Sequence, residues 1–178
     1  MRQHQFRIQT ARKTAEALVE RFGIHTTPVD VQLIATKLGL PVVYHELGAD
    51  ISGLLMSAEG RASICVRDSD PLVRQRFTIA HEIGHFVLRH QFEPGAHVHV
   101  DEKWKVTARS TNRSLGVDPQ EVEANQFAAA LLMPSNLLRE RAQRYGERQL
   151  DDQNVAALAR EFKVSEQAMV IRLSTLGL

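Results

Sequence analysis

The chain has 178 residues, of which 43% are hydrophobic and 24% are charged, and these are ordinary values for a globular protein. Its formal net charge of +1 gives no overall attraction to nucleic acid or to a membrane surface. The one cysteine, Cys65, excludes an intramolecular disulfide, and its apolar neighbours predict a buried core residue. The first residues contain no apolar leader segment, and no stretch approaches about 18 apolar residues, so we expect a soluble, cytoplasmic protein.

Two amphipathic helices are predicted at the start of the chain. Residues 9–22 place their apolar side chains on one side of a helix. Thr27, Pro28 and Asp30 then fit the N-cap, the first position and the acidic third position of a second helix. This second helix is expected to end at Gly39.

The hydrophobic period then changes to that of β-strands. Residues 41–45 predict one strand. Residues 51–56 and 62–66 predict a hairpin whose strands are joined around residues 58–60. The sequence therefore predicts a small sheet of about three strands between the first helices and the next helical segment.

Residues 77–88 are the most informative segment, because they form a helical pattern that contains His-Glu-x-x-His. At about 100° per residue, the polar side chains of this segment fall within about 100° of the helix circumference, and all other positions are apolar or Gly. The polar side chains are Thr78, His81, Glu82 and His85. Two imidazoles and a carboxylate on a buried helix are costly unless a metal ion or another partner satisfies them. Because His81 and His85 point the same way, the pattern predicts a zinc site.

The helix that carries this motif is expected to begin at Pro71, to be capped by the residues just before it, and to run to about His90. The alternative to a zinc site is a core helix whose two histidines bond to backbone carbonyl groups. The segregation of the polar residues into one stripe disfavours that alternative, because random placement would scatter them around the helix.

Residues 91–116 are polar and difficult to assign, and loops this long inside a compact domain are often functional. Residues 97–100 alternate like a short strand, which suggests a strand at the substrate edge or a flap. The next helix is predicted to begin after its N-cap Asp118 and to end before Pro134. Two or three further helices are expected over residues 135–178.

A catalytic zinc usually has three protein ligands and one open position for water. The metzincin pattern would place a third histidine at position 91, which is Gln91. His90 would lie roughly 140° from His85 on the same helix. Glu121 and Asn125 share one face of the following helix. We therefore expect Glu121 to be the third ligand and Asn125 to orient a ligating histidine from outside the ligand set.

The sequence pattern alone does not identify the third metal ligand. Glu121 occupies the third helical position after Asp118, where a glutamate also stabilises a helix N-terminus without binding a metal. The other candidate ligands are Glu123, Asp101, His97 and His99. The two histidines of that set alternate with valines and also fit a solvated strand face.

Such a site predicts hydrolytic chemistry. Zinc lowers the pKa of a bound water to about 7 and polarises a carbonyl group. Glu82 is placed to accept the proton of the attacking water and to pass it to the leaving amine. The sequence therefore predicts a peptidase or an amidohydrolase. Four side chains are candidates for stabilising the oxyanion, and the sequence does not select among them: Tyr44, His97, His99 and Tyr145.

Residues 76–86 and residues 121–134 together resemble the ImmA/IrrE family of metallopeptidases. The second of these segments reads Glu-Val-Glu-Ala-Asn-Gln-Phe-Ala-Ala-Ala-Leu-Leu-Met-Pro and is distinctive over its whole length. The resemblance extends over about residues 10–175. It implies an α+β zincin-like domain with a small sheet, a helix carrying the zinc motif and a C-terminal helical bundle.

The resemblance also implies a function and a ligand set. One zinc ion per chain would be bound by His81, His85 and Glu121, and Glu82 would be the catalytic residue. Members of the family are intracellular proteases that typically cleave a helix-turn-helix repressor or an antitoxin-like partner, which relieves transcriptional repression in stress or in the transfer of mobile elements. The resemblance therefore implies a zinc-dependent endopeptidase with a helix-turn-helix repressor as its protein substrate.

We expect one domain over residues 1–178. Its N-terminal helices would occupy residues 1–40, and its sheet and zinc-site helices residues 41–134. Its C-terminal helices would occupy residues 135–178 and include a segment that resembles a helix-turn-helix.

That segment covers residues 155–169, with Ser165 as the N-cap of its second helix. Lys163 occupies the turn position that favours glycine. The second helix offers few polar side chains for reading bases: Glu166, Gln167, Arg172 and Ser174. A structural or partner-docking role is therefore favoured over direct DNA binding. The competing hypothesis for the whole chain is a non-catalytic DNA-binding or adaptor module that uses this segment.

Overall fold

The computed structural model describes residues 2–48, 50–58, 61–90, 105–107, 118–146 and 150–178. The helices are α1 (Arg2–Arg21), α2 (Val31–Lys37), α3 (Leu72–Val87), α4 (Pro119–Leu132), α5 (Ser135–Ala142), α6 (Asp152–Phe162) and α7 (Glu166–Leu176), with a 3-10 helix at Gln143–Tyr145. The strands are β1 (Val42–His45), β2 (Gly53–Ala58), β3 (Arg61–Arg67) and β4 (Lys105–Thr107). The expected α+β class is confirmed. Among the described helices, none is both long and apolar enough to cross a membrane.

The four strands form one mixed sheet in the order β1-β3-β2-β4. β2 and β3 are the predicted antiparallel hairpin, with Leu55 opposite Ile64, and β1 pairs with β3 in parallel. β4 lies within the segment that was difficult to assign and adds a short antiparallel strand beside β2. The strand-like residues 97–100 lie outside the described residues. Cys65 on β3 is buried as predicted, and burial raises the pKa of its thiol.

The predicted cap of α2 is wrong. Asp30 is the N-cap, because its backbone is extended (φ −81°, ψ 94°) and its side chain accepts hydrogen bonds from the backbone N–H groups of Gln32 and Leu33. The helix therefore begins after Asp30, and Thr27 and Pro28 precede it. An aspartate satisfies two of the free N–H groups of a helix start, so it competes effectively with the predicted threonine cap.

The start of α3 also differs from the prediction. Pro71 occupies the N-cap position and the first helical residue is Leu72, with no side chain capping the helix. Asp70 instead pairs with Arg67 at 2.6 Å. Charge pairing with the preceding strand thus replaces the expected capping of the helix N-terminus.

α3 ends at Val87 and not near His90, because Arg89 adopts the left-handed conformation with φ 55°. The N–H of Arg89 donates to the carbonyl of Phe86 at 3.2 Å, and the N–H of His90 donates to the carbonyl of His85 at 3.1 Å. These two bonds form a Schellman motif, which turns the chain back at a helix end. The predicted separation of His90 from His85 on one continuous helix is therefore wrong.

α4 contacts α1, α3 and α7 and lies at the centre of the helical core. Small side chains on α1 and α4 allow these helices to pack closely, and Ala11, Ala15, Ala124 and Ala128 are each 0% exposed. α4 ends before Pro134, as the sequence predicts. Its first turn lies beside the second half of α3, and this packing determines the geometry of the candidate site.

α6 and α7 occupy the segment whose sequence resembles a helix-turn-helix. Ser165 caps α7 by accepting a hydrogen bond from the N–H of Ala168. Lys163 has φ 52°, which is the conformation for which the turn favours glycine. The local geometry expected from the sequence is therefore present even though a lysine occupies the turn.

Arg172 anchors α7 to the rest of the fold. Its side chain is 3% exposed and pairs with Glu16 of α1 at 2.9 Å. Its Nε also donates to the carbonyl oxygen of Met133 at 3.0 Å. Burial lowers the pKa of the Arg172 guanidinium, and Glu16 opposes that shift. The basic side chain that α7 was expected to offer to DNA is therefore turned inwards.

Candidate metal centre

His81 and His85 lie one turn apart in the second half of α3. Their Nε2 atoms are 3.0 Å apart, because residues four positions apart on a helix project from the same face. The side chain of His81 is 13% exposed and that of His85 is 1% exposed. The pair therefore lies at the edge of the core, with one ring buried and the other accessible.

Glu121 approaches the pair from the first turn of α4. One oxygen of its carboxylate is 3.3 Å from Nε2 of His81, and the other is 3.8 Å from Nε2 of His85. One ligand atom from each of the three residues lies within 4.8 Å of the others. Among the described residues, this is the one group of three or more potential metal ligands that converges in this way.

The hydrogen-bond partners of His81 and His85 indicate which ring nitrogen faces the centre. Nδ1 of His81 is 2.9 Å from Oδ1 of Asn125, an oxygen that accepts, so Nδ1 carries the proton. Nδ1 of His85 is 2.7 Å from Nδ1 of His90. All four ring nitrogens of the two histidines thus face side chains, and both Nε2 atoms face Glu121. Asn125, which was expected to orient a ligating histidine, thus lies in contact with His81.

The donor atoms fit a divalent cation. Two neutral imidazole nitrogens and one carboxylate are a ligand set found in catalytic zinc sites. Tetrahedral coordination with bonds of about 2.0–2.1 Å requires ligand atoms about 3.3 Å apart. The two Nε2 atoms are 3.0 Å apart, and Nε2 of His81 is 3.3 Å from one oxygen of Glu121, so both separations are close to that value. A cation between these atoms would also offset the mutual repulsion of their lone pairs.

Glu82 follows His81 on α3 and is 4% exposed. Thr78, one turn earlier, is 6% exposed, so the polar stripe predicted from the sequence is largely buried. A Cβ built on Gly53 of β2 would lie 2.2 Å from Cγ2 of Thr78. The sheet therefore approaches α3 closely just before the motif, and the glycine allows this contact.

The other candidate ligands lie elsewhere or outside the described residues. Glu123 is turned towards His90 and Arg7 and is not part of the converging group. Asp101, His97 and His99 lie outside the described residues. Tyr44 and Tyr145, the remaining candidates for the oxyanion, are in β1 and in the 3-10 helix, and each is about two-fifths exposed.

Sequence reasoning missed the contacts behind His85. His90 was considered as a ligand on a continuous helix, but it faces the opposite ring nitrogen of His85. Nε2 of His90 is 3.3 Å from Glu123. A predicted helix end just after Val87 would have indicated this arrangement. The chain turns there at Arg89, however, and the sequence has no glycine at that position to mark a helix end.

Comparisons with known proteins agree with this fold. No curated protein matches the chain. Among solved structures, a Mycobacterium tuberculosis transcriptional regulator is similar, with a TM-score of 0.60 and 18% sequence identity over 93% of this chain and 46% of that one. This chain spans about half of that protein, and at this identity the likeness shows the fold alone.

A family comparison defines the relationship more closely. The family described as IrrE N-terminal-like domain, Peptidase_M78, matches residues 35–174. The match includes β1 to β4, both helices of the candidate metal centre and most of the C-terminal helices. Since it covers well over half of the chain, this protein belongs to the ImmA/IrrE family, a family of the metallopeptidase type.

Proposed function

We propose that this chain is a zinc-dependent endopeptidase that hydrolyses a peptide bond in a helix-turn-helix repressor or antitoxin and so relieves repression in stress or in mobile-element regulation. The observation that carries the proposal is the convergence of His81, His85 and Glu121 from two packed helices. Family membership supports the metallopeptidase-type role. The substrate class follows from the resemblance of the two sequence motifs.

The ligand set supports zinc as the cofactor, because two imidazoles and one carboxylate leave a position for water on a tetrahedral ion. When bound, zinc would lower the pKa of a bound water to about 7 and polarise the scissile carbonyl. His81 and His85 would hold the ion through Nε2, and Glu121 through its carboxylate.

Glu82 would be the general base. It follows a ligand residue on the same helix and belongs to the same polar stripe. Its carboxylate would accept a proton from the attacking water and donate it to the nitrogen that leaves when the peptide bond breaks. Burial supports this role, because the exclusion of bulk water limits the loss of the transferred proton to solvent.

The first test is metal content. The purified protein should contain one zinc ion per chain by elemental analysis. After removal by a chelator, added zinc should rebind and raise the melting temperature, because a ligand that binds the folded state stabilises it. A protein that neither carries zinc nor is stabilised by added zinc would contradict the proposal.

The second test separates metal binding from catalysis. The chain is co-expressed with a helix-turn-helix repressor encoded next to it, and the cut is located by mass spectrometry. Glu82→Gln should keep zinc and lose cleavage by about 100-fold or more. His81→Ala should lose both zinc and cleavage. Glu20→Gln, on the exposed face of α1, is the matched control and should retain both. Unchanged cleavage by Glu82→Gln would exclude the proposed mechanism.

A further inference from the structure

We propose that His90, Glu123 and Arg7 form a positioning relay that holds His85 for metal binding and makes metal affinity depend on the N-terminal helix α1. The inference rests on the proposed function, because it assumes that His85 binds zinc through Nε2. It concerns residues outside the ligand set, none of which would touch the metal or the substrate.

The three residues form a continuous chain of contacts behind His85. Nδ1 of His90 is 2.7 Å from Nδ1 of His85. Nε2 of His90 is 3.3 Å from Oε2 of Glu123. The other oxygen of Glu123 is 2.7 Å from Nε of Arg7. The relay thus runs from α3 through the turn that follows it to α4 and then to α1.

The hydrogen-bond partners determine which ring nitrogen of His85 and of His90 carries the proton. If Nε2 of His85 is a metal ligand, its ring proton is on Nδ1, and that N–H donates to Nδ1 of His90. His90 then carries its own proton on Nε2, which donates to the carboxylate of Glu123. Each donor then has an acceptor, and the chain of bonds holds the ring of His85 with Nε2 towards Glu121.

Burial makes this arrangement strong. His85 is 1% exposed, His90 8% and Glu123 4%. Hydrogen bonds among desolvated groups are less weakened by water, and a buried carboxylate requires a compensating charge. Arg7 supplies that charge with two nitrogens, Nε at 2.7 Å and a terminal nitrogen at 3.2 Å. The ion pair thus places a positive charge beside the carboxylate that faces His90.

His81 and His85 have different kinds of hydrogen-bond partner at Nδ1. His81 donates to Asn125, a neutral and exposed amide, whereas His85 donates into a buried relay that ends in a carboxylate. The relay also depends on α1, which lies outside the part of the chain matched by the family. The contact of Arg7 with Glu123 should therefore tighten metal binding, and metal binding should favour that contact.

The test measures the zinc dissociation constant of the full chain by competition with a chromophoric chelator. Glu123→Gln should weaken zinc binding by about 10- to 100-fold, the range found when groups behind ligating histidines are changed. Arg7→Gln should weaken it less, because the Arg7 side chain is 48% exposed and water can replace part of its contact. Circular dichroism with and without zinc should show that each variant is folded.

Glu16→Gln is the matched control. Glu16 also lies on α1 and also forms an ion pair with a buried partner, Arg172, but away from the metal centre. It should lower stability and leave the zinc dissociation constant unchanged. Equal weakening by Glu16→Gln and Glu123→Gln would mean that any loosening of α1 affects the site, and this would overturn the specific relay.

A second readout reports the relay without any substitution. Long-range ¹H–¹⁵N spectra of the zinc-loaded protein should show the proton of His85 on Nδ1 and that of His90 on Nε2. A His90 protonated on Nδ1 would overturn the relay even if Glu123→Gln failed to fold. Equal zinc affinity of the wild type and the Glu123→Gln variant would overturn the relay and leave the proposed function intact. Wild-type protein that does not bind zinc would overturn both.

Discussion

Gly84 of α3 lies directly against Phe127 of α4. A Cβ built on Gly84 would be 3.0 Å from Cδ1 and 3.3 Å from Cβ of Phe127, and the ring is 0% exposed. Gly84 is the residue just before His85, and Phe127 lies in the same helix as Glu121. The absence of a side chain at position 84 therefore sets how closely the two helices approach and how near Glu121 comes to the histidine pair.

The first prediction concerns this contact. Gly84→Val should lower the free energy of unfolding by about 1–3 kcal/mol, because overpacking a buried contact has that typical cost. Gly84→Ala should have a smaller effect, since the better helix propensity of alanine, about 1 kcal/mol, offsets part of the strain. Both variants should bind zinc more weakly. Urea unfolding and chelator competition measure the two effects.

A second substitution checks the cause. Phe127→Ala removes Cδ1 and Cγ, the two atoms nearest Gly84, so combining it with Gly84→Val should recover zinc affinity relative to Gly84→Val by itself. Additive losses in the double variant would show that the helix spacing is not controlled by this contact. Higher zinc affinity in Gly84→Ala than in the wild type would contradict the prediction directly.

A similar contact supports α3 from the sheet. A Cβ on Gly53 would lie 2.2 Å from Cγ2 of Thr78 and 2.9 Å from the carbonyl oxygen of Cys65. Gly53→Ala should therefore lower the melting temperature, with a cost of about 1–3 kcal/mol. Gly48→Ala is the control, because no atom lies within 4 Å of a Cβ at that position. Equal melting temperatures for the two variants would contradict the prediction.

Asn125 should contribute to metal affinity through His81. Asn125→Ala removes the acceptor for Nδ1 of His81 and should weaken zinc binding by about tenfold or less, because water can reach this exposed position and replace the amide. Asn125→Asp keeps an acceptor and should retain most of the affinity. Gln126→Ala, at the neighbouring residue bonded to Arg12, is the control and should not change the dissociation constant. Equal losses in all three variants would indicate a general effect on α4.

Much of the site could be predicted because it follows from helix periodicity. The polar stripe on α3 brings together His81 and His85, and the shared face of Glu121 and Asn125 on α4 brings an acid and an amide to them. These relationships depend on spacing within single helices, which a sequence shows directly. The hairpin of β2 and β3 was predictable for the same reason, since strand alternation and turn residues are local.

The relationships that could not be predicted depend on chain reversals without a sequence signal. Arg89 has φ 55° where glycine is the usual residue, so the end of α3 and the return of His90 to His85 were not evident. The partner of Glu123 was also hidden, because Arg7 is more than a hundred residues away in the chain. The N-cap of α2 was also not predictable, because Thr27 and Asp30 are both acceptable N-cap residues and lie close together in the sequence.

The final prediction distinguishes the peptidase from the DNA-binding alternative. Arg172→Met should lower the free energy of unfolding by about 1–3 kcal/mol, because it leaves a buried carbonyl of Met133 without its donor and removes the partner of Glu16. It should not change binding to duplex DNA, since the guanidinium is 3% exposed.

Arg172 is the one Lys or Arg in the sequence of α7, and Glu166 at its exposed start is acidic. A recognition helix that binds phosphates would lose affinity with rising salt. Fluorescence anisotropy measures binding to duplex DNA over a range of salt concentrations. We expect the wild type to show no salt-dependent binding that is weakened in the Arg172→Met variant. A folded Arg172→Met variant that lost such binding would favour the DNA-binding alternative, because the side chain would then have to leave the core to reach the duplex.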